Sequence, residues 1–171
     1  MIFTGRITDE GFMGSGKTSV GKRLSLVLKR EFIDTDDFIE KREGMTINEI
    51  FKEKGEEEFR KIERELYKRF STPKKKIIAT GGGVIKNSAN IANLKKGGVI
   101  VYLKSSPEKI AQNLKFDNTR PILQVDDKEA KIRELLAQRE PFYNKYAEIT
   151  IDVSNYDIDH TVDKIIELAK V

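Results

Sequence analysis

The stretch GFMGSGKT, residues 11–18, constrains this chain more than any other part of its sequence. It fits the pattern G-x-x-x-x-G-K-[ST]. In that pattern glycines let backbone N–H groups converge on phosphate oxygens, and the following helix N-terminus adds positive partial charge. At ordinary residue frequencies a chance match in a chain of this length is roughly 1 in 200. Val20, Leu24, Val27 and Leu28 follow at helical spacing, so the loop opens an amphipathic helix, as a phosphate loop should. Lys17 is then the residue that reaches the β- and γ-phosphates, and Thr18 offers its hydroxyl to Mg²⁺. A loop of this kind has to be fed by a buried strand and backed by a helix, which selects an α/β architecture.

The rest of the chain agrees. Short apolar runs at 32–33, 76–80, 99–103 and 149–153 read as strands, and they alternate with helical patterns at 46–54, 56–70, 128–146 and 159–170. Ser106-Pro107 marks a helix start, and Pro141 predicts a bend or break in the 128–146 helix. Strand and helix alternate about five times, implying a parallel sheet covered by helices on both faces. Ligands in such folds bind at the carboxyl ends of the strands. That directs attention to the phosphate loop, to Asp34-Thr35-Asp36, and to Gly81-Gly82-Gly83.

Composition bounds the function classes. The 171 residues favour one domain, and the absence of cysteine excludes a disulfide framework, a thiolate metal site and a Cys nucleophile. No apolar run is long enough for a membrane span, and the N-terminus has no signal-peptide pattern, so a soluble cytoplasmic protein is expected. The net charge of +4 suits an anionic small molecule. Basic and acidic residues are interleaved rather than clustered, which argues against nucleic acid as a partner.

The first strand is the anomaly. Residues 1–4 (MIFT) form the obvious apolar run, but six polar-leaning residues, 6–11, separate it from the loop. Deleting them would leave MIFTGFMGSGKT. The expectation is therefore that MIFT is the first strand and that 6–11 form a surface bulge. A continuous strand through Ile7 would bury Arg6, Asp9 and Glu10 at several kcal/mol unless each were paired.

Asp34 and Asp36 stand two apart, so on an extended continuation of their strand they point the same way. No Asp follows Ile77-Ile78-Ala79, which leaves Asp34 as the candidate to hold Mg²⁺ with Thr18, and Asp36 to orient an acceptor hydroxyl. Asp37 reads as the cap of the helix beginning near Phe38.

Taken in order, GFMGSGKT, FIDTDDFIE, EEFRKIE, TGGG, RPIL and QREPFY resemble the shikimate kinases of the nucleoside-monophosphate-kinase-like phosphate-loop branch, from about Gly11 to Val153. The resemblance implies a three-layer fold with a five-stranded parallel sheet, a substrate-binding region at about 35–62 and a mobile lid at about 113–125. It implies phosphorylation of the 3-hydroxyl of shikimate by ATP, on the way to aromatic amino acids, with one Mg²⁺. By position, Gly14, Ser15, Gly16, Lys17, Thr18, Ser19, Arg120 and Asn155 would bind ATP. Asp36, Arg60, Gly82 and Arg139 would bind shikimate, and Thr18 with Asp34 would bind the metal. Lys17, Asp36 and Arg120 would be catalytic, and the enzyme would be a monomer. Two planar guanidinium forks, Arg60 and Arg139, suit a carboxylate substrate. Asn113 departs from the family, whose lids commonly carry an Arg there, and Phe116 is a candidate to stack on adenine instead. Rival readings are a gluconate or nucleotide kinase, or a nucleotide-binding regulatory protein that the 6–11 segment has deprived of catalysis.

Overall fold

A computed structural model describes residues 6–10, 12–71, 75–115 and 127–170, with backbone alone for 6–10. Strands β1 (Arg6–Glu10), β2 (Glu31–Asp34), β3 (Lys76–Ala79), β4 (Gly98–Lys104) and β5 (Ile149–Asp152) form one sheet in the order β2-β3-β1-β4-β5. Every neighbouring pair is parallel. Among the described residues the helices are α1 (Lys17–Leu28), α2 (Thr35–Glu43), α3 (Ile47–Arg69), α4 (Ser88–Lys95), α5 (Pro107–Asn113), α6 (Lys128–Tyr146) and α7 (Ile158–Ala169), with a 3₁₀ turn at Val84–Lys86.

Strands β3 and β4 are apolar on both faces because both faces are covered. In β4, Ile100 and Tyr102 join the cluster under α2, α3 and α4, with Ile39, Phe59, Ile62, Leu66, Ile91 and Leu94. The alternate residues Val101 and Leu103 face α1 and α7, against Val20, Leu24, Val162 and Ile165. Neighbouring β3 splits the same way, Ile78 to one cluster and Ile77 to the other. A third cluster joins Phe12 at the loop to Ile110 and Leu114, and to Ile132, Leu135 and Leu136 of α6. The phosphate loop is thus seated on α5 and α6.

Helix ends follow local chemistry. Ser106 caps α5, with Pro107 in its first turn. Thr46 and Glu49 form a reciprocal capping box at the start of α3. The two helical segments expected at 46–54 and 56–70 are one element with a kink at Gly55, whose φ is 82°. Pro141 does not break α6, which runs on through it to Tyr146.

The expectation for the first strand is overturned. Residues 6–10 are not a surface bulge; they form β1, the central strand. Ile7 is in register with Ile77 on one side and Val99 on the other, and Asp9 with Ala79 and Val101. MIFT lies outside the described residues. Side-chain burial alone disfavours this placement, and the main chain favours it. A strand between two others pairs its N–H and C=O groups along both edges. The chain immediately before the loop is also the chain that connects to it within a few residues, the usual reach of a strand-to-helix turn.

The central placement makes a sharp prediction. Proline at Ile7 removes a ladder donor from a strand paired on both sides, so Ile7→Pro lowers unfolding free energy in urea by about 3 kcal/mol or more. A surface bulge would register a change within about 0.5 kcal/mol, and that result would return residues 6–10 to a loop.

Candidate functional site

The chain runs from β1 to the edge strand β2, back through β3, and then across to β4 on the other side of β1. This reversal opens a crevice at the carboxyl ends of the central strands, and the segments singled out in the sequence meet there. Gly14 and Gly16 take φ of 77° and 92°, the left-handed region that favours glycine. Gly16 occupies the cap position of α1 without a side-chain cap bond, so the first-turn amides of α1 are directed at the crevice. Lys17 Nζ donates to the carbonyl of Phe12 at 2.9 Å and lies folded along the loop.

Asp34 ends β2 and does two jobs. Its Oδ2 accepts the Thr18 hydroxyl at 2.7 Å. Its Oδ1 accepts from the backbone amides of Asp36 at 3.1 Å and Asp37 at 3.5 Å, so Asp34, not Asp37, caps α2. A cap must sit in extended backbone just before the first helical residue, and only Asp34, at the strand end, does. Thr18 and Asp34 bring two hard oxygen donors together next to Lys17. That donor set fits Mg²⁺, which takes one or two protein oxygens and completes its shell with phosphate and water.

Three cavities surround these groups. The first, about 310 Å³, is lined by Asp36, Arg60, Glu63, Gly82, Lys86 and Arg139 among others. The second, about 300 Å³, lies over the loop and is lined by Lys17, Thr18, Asp34 and Asp36. Both include Met13, Asp36, Gly81 and Gly82, so Asp36 stands on the wall between them. The third, about 750 Å³, lies beyond the loop, between Gly14, Ser15, Gly16 and Ser19 on one side and Lys109, Asn113 and Tyr156 on the other.

In the first cavity Arg60 is fixed by two carboxylates. Nη1 donates to Glu63 at 2.5 Å and Nη2 to Glu56 at 3.1 Å, and the guanidinium also lies 5.1 Å from the Phe59 ring centre. Burial opposes the Arg60 charge, but the Glu63 and Glu56 interactions outweigh it and raise its pKa. Glu63 is only 3% exposed. Burial is the largest influence on its carboxyl and pushes its pKa up, Arg60 pulls it down, and nearby Asp36 adds to the upward push. Arg139 lies over the Phe12 ring at 5.5 Å, and among the described residues no carboxylate pairs with it. Arg60 and Arg139 therefore present two cationic forks to one cavity.

The glycine run is needed for close approach. A Cβ on Gly81 would lie 2.6 Å from Asp36 Oδ1, and one on Gly83 would lie 3.0 Å from Arg60 Nη1. The polar side chains rest directly on this backbone.

Asp36, Arg60, Gly82 and Arg139 are brought together in one cavity, and Lys17, Thr18 and Asp34 in the next. Asn155 is not on the wall of the third cavity, where its neighbour Tyr156 is, its ring centre 4.4 Å from that of His160 and tilted by 32°. Asn113 donates its side-chain amide to the Gly14 carbonyl at 2.8 Å and so braces the phosphate loop. Arg120, Phe116 and most of the lid segment lie outside the described residues. Sequence reasoning missed Glu63, Thr35 and Tyr143. Glu63 did leave a signal: it falls on the apolar face of α3 with Phe59, Ile62 and Leu66, where an acid is out of place unless it serves a partner.

Comparison with known proteins agrees with this geometry. The shikimate kinase family model matches residues 13–170. The shikimate kinase of Caldanaerobacter subterraneus subsp. tengcongensis is 49% identical over 156 residues, 91% of each chain. That of Thermoanaerobacter pseudethanolicus is 45% identical over 92% of this chain and 91% of its own. Among solved structures, shikimate kinase from Acinetobacter baumannii in complex with shikimate superposes with a TM-score of 0.91 at 39% identity, covering 96% of this chain and 92% of that one. With a family model matched along nearly its whole length and relatives above 40% identity over nine-tenths of it, the chain belongs to the shikimate kinase family.

Proposed function

We propose that this chain transfers the γ-phosphoryl group of ATP to the 3-hydroxyl of shikimate, giving shikimate 3-phosphate and ADP. The observation that carries the reading is the position of Asp36 on the shared wall of the first two cavities. A hydroxyl held by Asp36 from the first cavity faces the phosphate loop across that wall. The acceptor oxygen forms its bond to the γ-phosphorus as the bond to the β–γ bridging oxygen breaks. Asp36 orients the hydroxyl and is placed to accept its proton.

The remaining groups act through position and charge, which is most of what phosphoryl transfer asks of a protein. Arg60 and Arg139 bind the shikimate carboxylate, and the Glu63 and Glu56 pairs hold the Arg60 fork in its plane. The Gly82 backbone contacts the substrate. Lys17 leaves the Phe12 carbonyl for the transferred phosphoryl group, and the first turn of α1 binds the remaining phosphates through Gly14, Ser15, Gly16, Thr18 and Ser19. Thr18 and Asp34 hold Mg²⁺, which neutralises phosphate charge when bound. Arg120 within the 113–125 segment closes over the nucleotide as part of a lid, and 35–62 forms the substrate-binding region. The third cavity is the place for the nucleoside. The enzyme works as a cytoplasmic monomer without a nucleic-acid or membrane partner, and among the described residues no helix is long and apolar enough to cross a membrane.

Neither rival has an observation in its favour. The regulatory reading depended on 6–11 as an insertion, and residues 6–10 form the central strand.

Coupled ADP-release assays test the assignment. Shikimate stimulates release, while gluconate and AMP do not; stimulation by either of those instead, with shikimate inert, removes the assignment. Asp36→Asn lowers kcat by at least about 10²-fold with the KM for ATP held, and near-normal turnover excludes Asp36 from the mechanism. Gly81→Ala puts a methyl group where Asp36 Oδ1 rests, and steady-state kinetics register a fall in kcat of about 10²-fold, the effect of an ångström-scale displacement of a reacting group.

A further inference from the structure

The glycine run after β3 is held by a set of hydrogen bonds that reach it from three directions. The Gly81 amide donates to Thr35 Oγ1 at 3.1 Å, and that hydroxyl, only 1% exposed, also accepts from Tyr67 at 3.3 Å. The Gly81 carbonyl accepts from the Val84 amide, and the Gly83 carbonyl from the Lys86 amide, each at 3.1 Å. The Gly82 carbonyl accepts the Tyr143 hydroxyl at 2.7 Å. Tyr143 is fully buried, and its ring stacks on Tyr102 of β4 at 4.9 Å and 21°.

These bonds fix the peptide planes on both sides of Gly82. In a trans peptide the N–H points opposite to the C=O. With the Gly81 carbonyl turned into the 3₁₀ turn, the Gly82 amide is directed the other way, and Gly82 lines both the first and the second cavity. Without the Tyr143 bond the next peptide would lose its anchor, because three consecutive glycines have little intrinsic preference for one conformation.

Tyr143 also lies one helical turn after Arg139, on the same face of α6. One residue contributes a cation to the first cavity, and the other grips the backbone that lines it. Thr35, the residue immediately before Asp36, holds the Gly81 amide.

We propose that Tyr143 is a positioning residue for shikimate: its hydroxyl, working against the Thr35 tether, sets the Gly82 peptide in register with Arg139. The inference rests on the reading that Gly82 contacts the substrate. It assigns α6 a role beyond supplying Arg139, that of gauging the distance between the carboxylate clamp and the glycine backbone.

The test compares two hydroxyl deletions from the same aromatic stack. Tyr143→Phe keeps the ring and removes the hydroxyl that donates to Gly82. Tyr102→Phe alters the stacked partner, for which no bond to the glycine run exists among the described residues. With Tyr143→Phe the KM for shikimate rises about fivefold to tenfold, the equivalent of one hydrogen bond. The calorimetric Kd for shikimate rises in parallel, while the KM for ATP stays within about twofold of wild type. Tyr102→Phe leaves the shikimate values unchanged. An unchanged KM and Kd for shikimate in Tyr143→Phe overturns the proposal, as does an equal rise for ATP or an equal effect from Tyr102→Phe. Should Tyr143→Phe not fold, Thr35→Val breaks the tether from the other side and carries the same expectations. Wild-type protein assayed in parallel separates this inference from the functional assignment, since absence of shikimate-dependent ADP release there removes the assignment itself.

Discussion

One carboxylate ties the two halves of the site together. Asp34 accepts the Thr18 hydroxyl with one oxygen and caps α2 with the other. The first turn of the phosphate-loop helix and the first turn of the helix carrying Asp36 are therefore referred to a single side chain at the end of β2. Any displacement of that strand end would move Thr18 and Asp36 together. This coupling follows from ordinary helix capping: a strand that ends in Asp can start the next helix with its own side chain. The second oxygen of the same group is then left for Thr18.

A second constraint comes from the glycine run. Asp36 and Arg60 both lie against backbone that carries no Cβ, Asp36 at a distance that a methyl group would violate and Arg60 at one that it would crowd. The substrate cavity is therefore shaped as much by absent side chains as by charged ones. The charged groups in turn depend on burial. The partly buried Arg60 guanidinium is paired with Glu63, itself almost fully enclosed. A half-satisfied version of this cluster would be worse than none, since an isolated buried carboxylate or guanidinium carries a desolvation penalty of several kcal/mol.

The sequence was most informative where chemistry requires a fixed residue at a fixed spacing. GFMGSGKT located the phosphate loop and the start of α1, and the motif order that includes FRKIE, TGGG and QREPFY located the family and the residues that now share two cavities. It was least informative where a residue acts through another. Nothing in the local pattern around Tyr143 says that its hydroxyl reaches Gly82, 61 positions away in sequence. Asn113 was read as a missing base contact, and only the folded loop gives it the Gly14 carbonyl as its partner. The cap of α2 was misassigned because three acids, Asp34, Asp36 and Asp37, are equivalent on paper, and only their backbone conformations distinguish them.

The largest error fell on the first strand, and its cause is general. Sequence by itself determined that a parallel sheet must feed GFMGSGKT, and that a crevice would lie at the carboxyl ends of its strands, because loop chemistry and strand–helix alternation permit little else. It favoured MIFT over RITDE for the strand because hydropathy records what side chains gain from burial. Only the tertiary structure decided that residues 6–10 fill the gap between β3 and β4, because main-chain pairing along two edges is a property of the assembled sheet and has no signature in the residues that supply it.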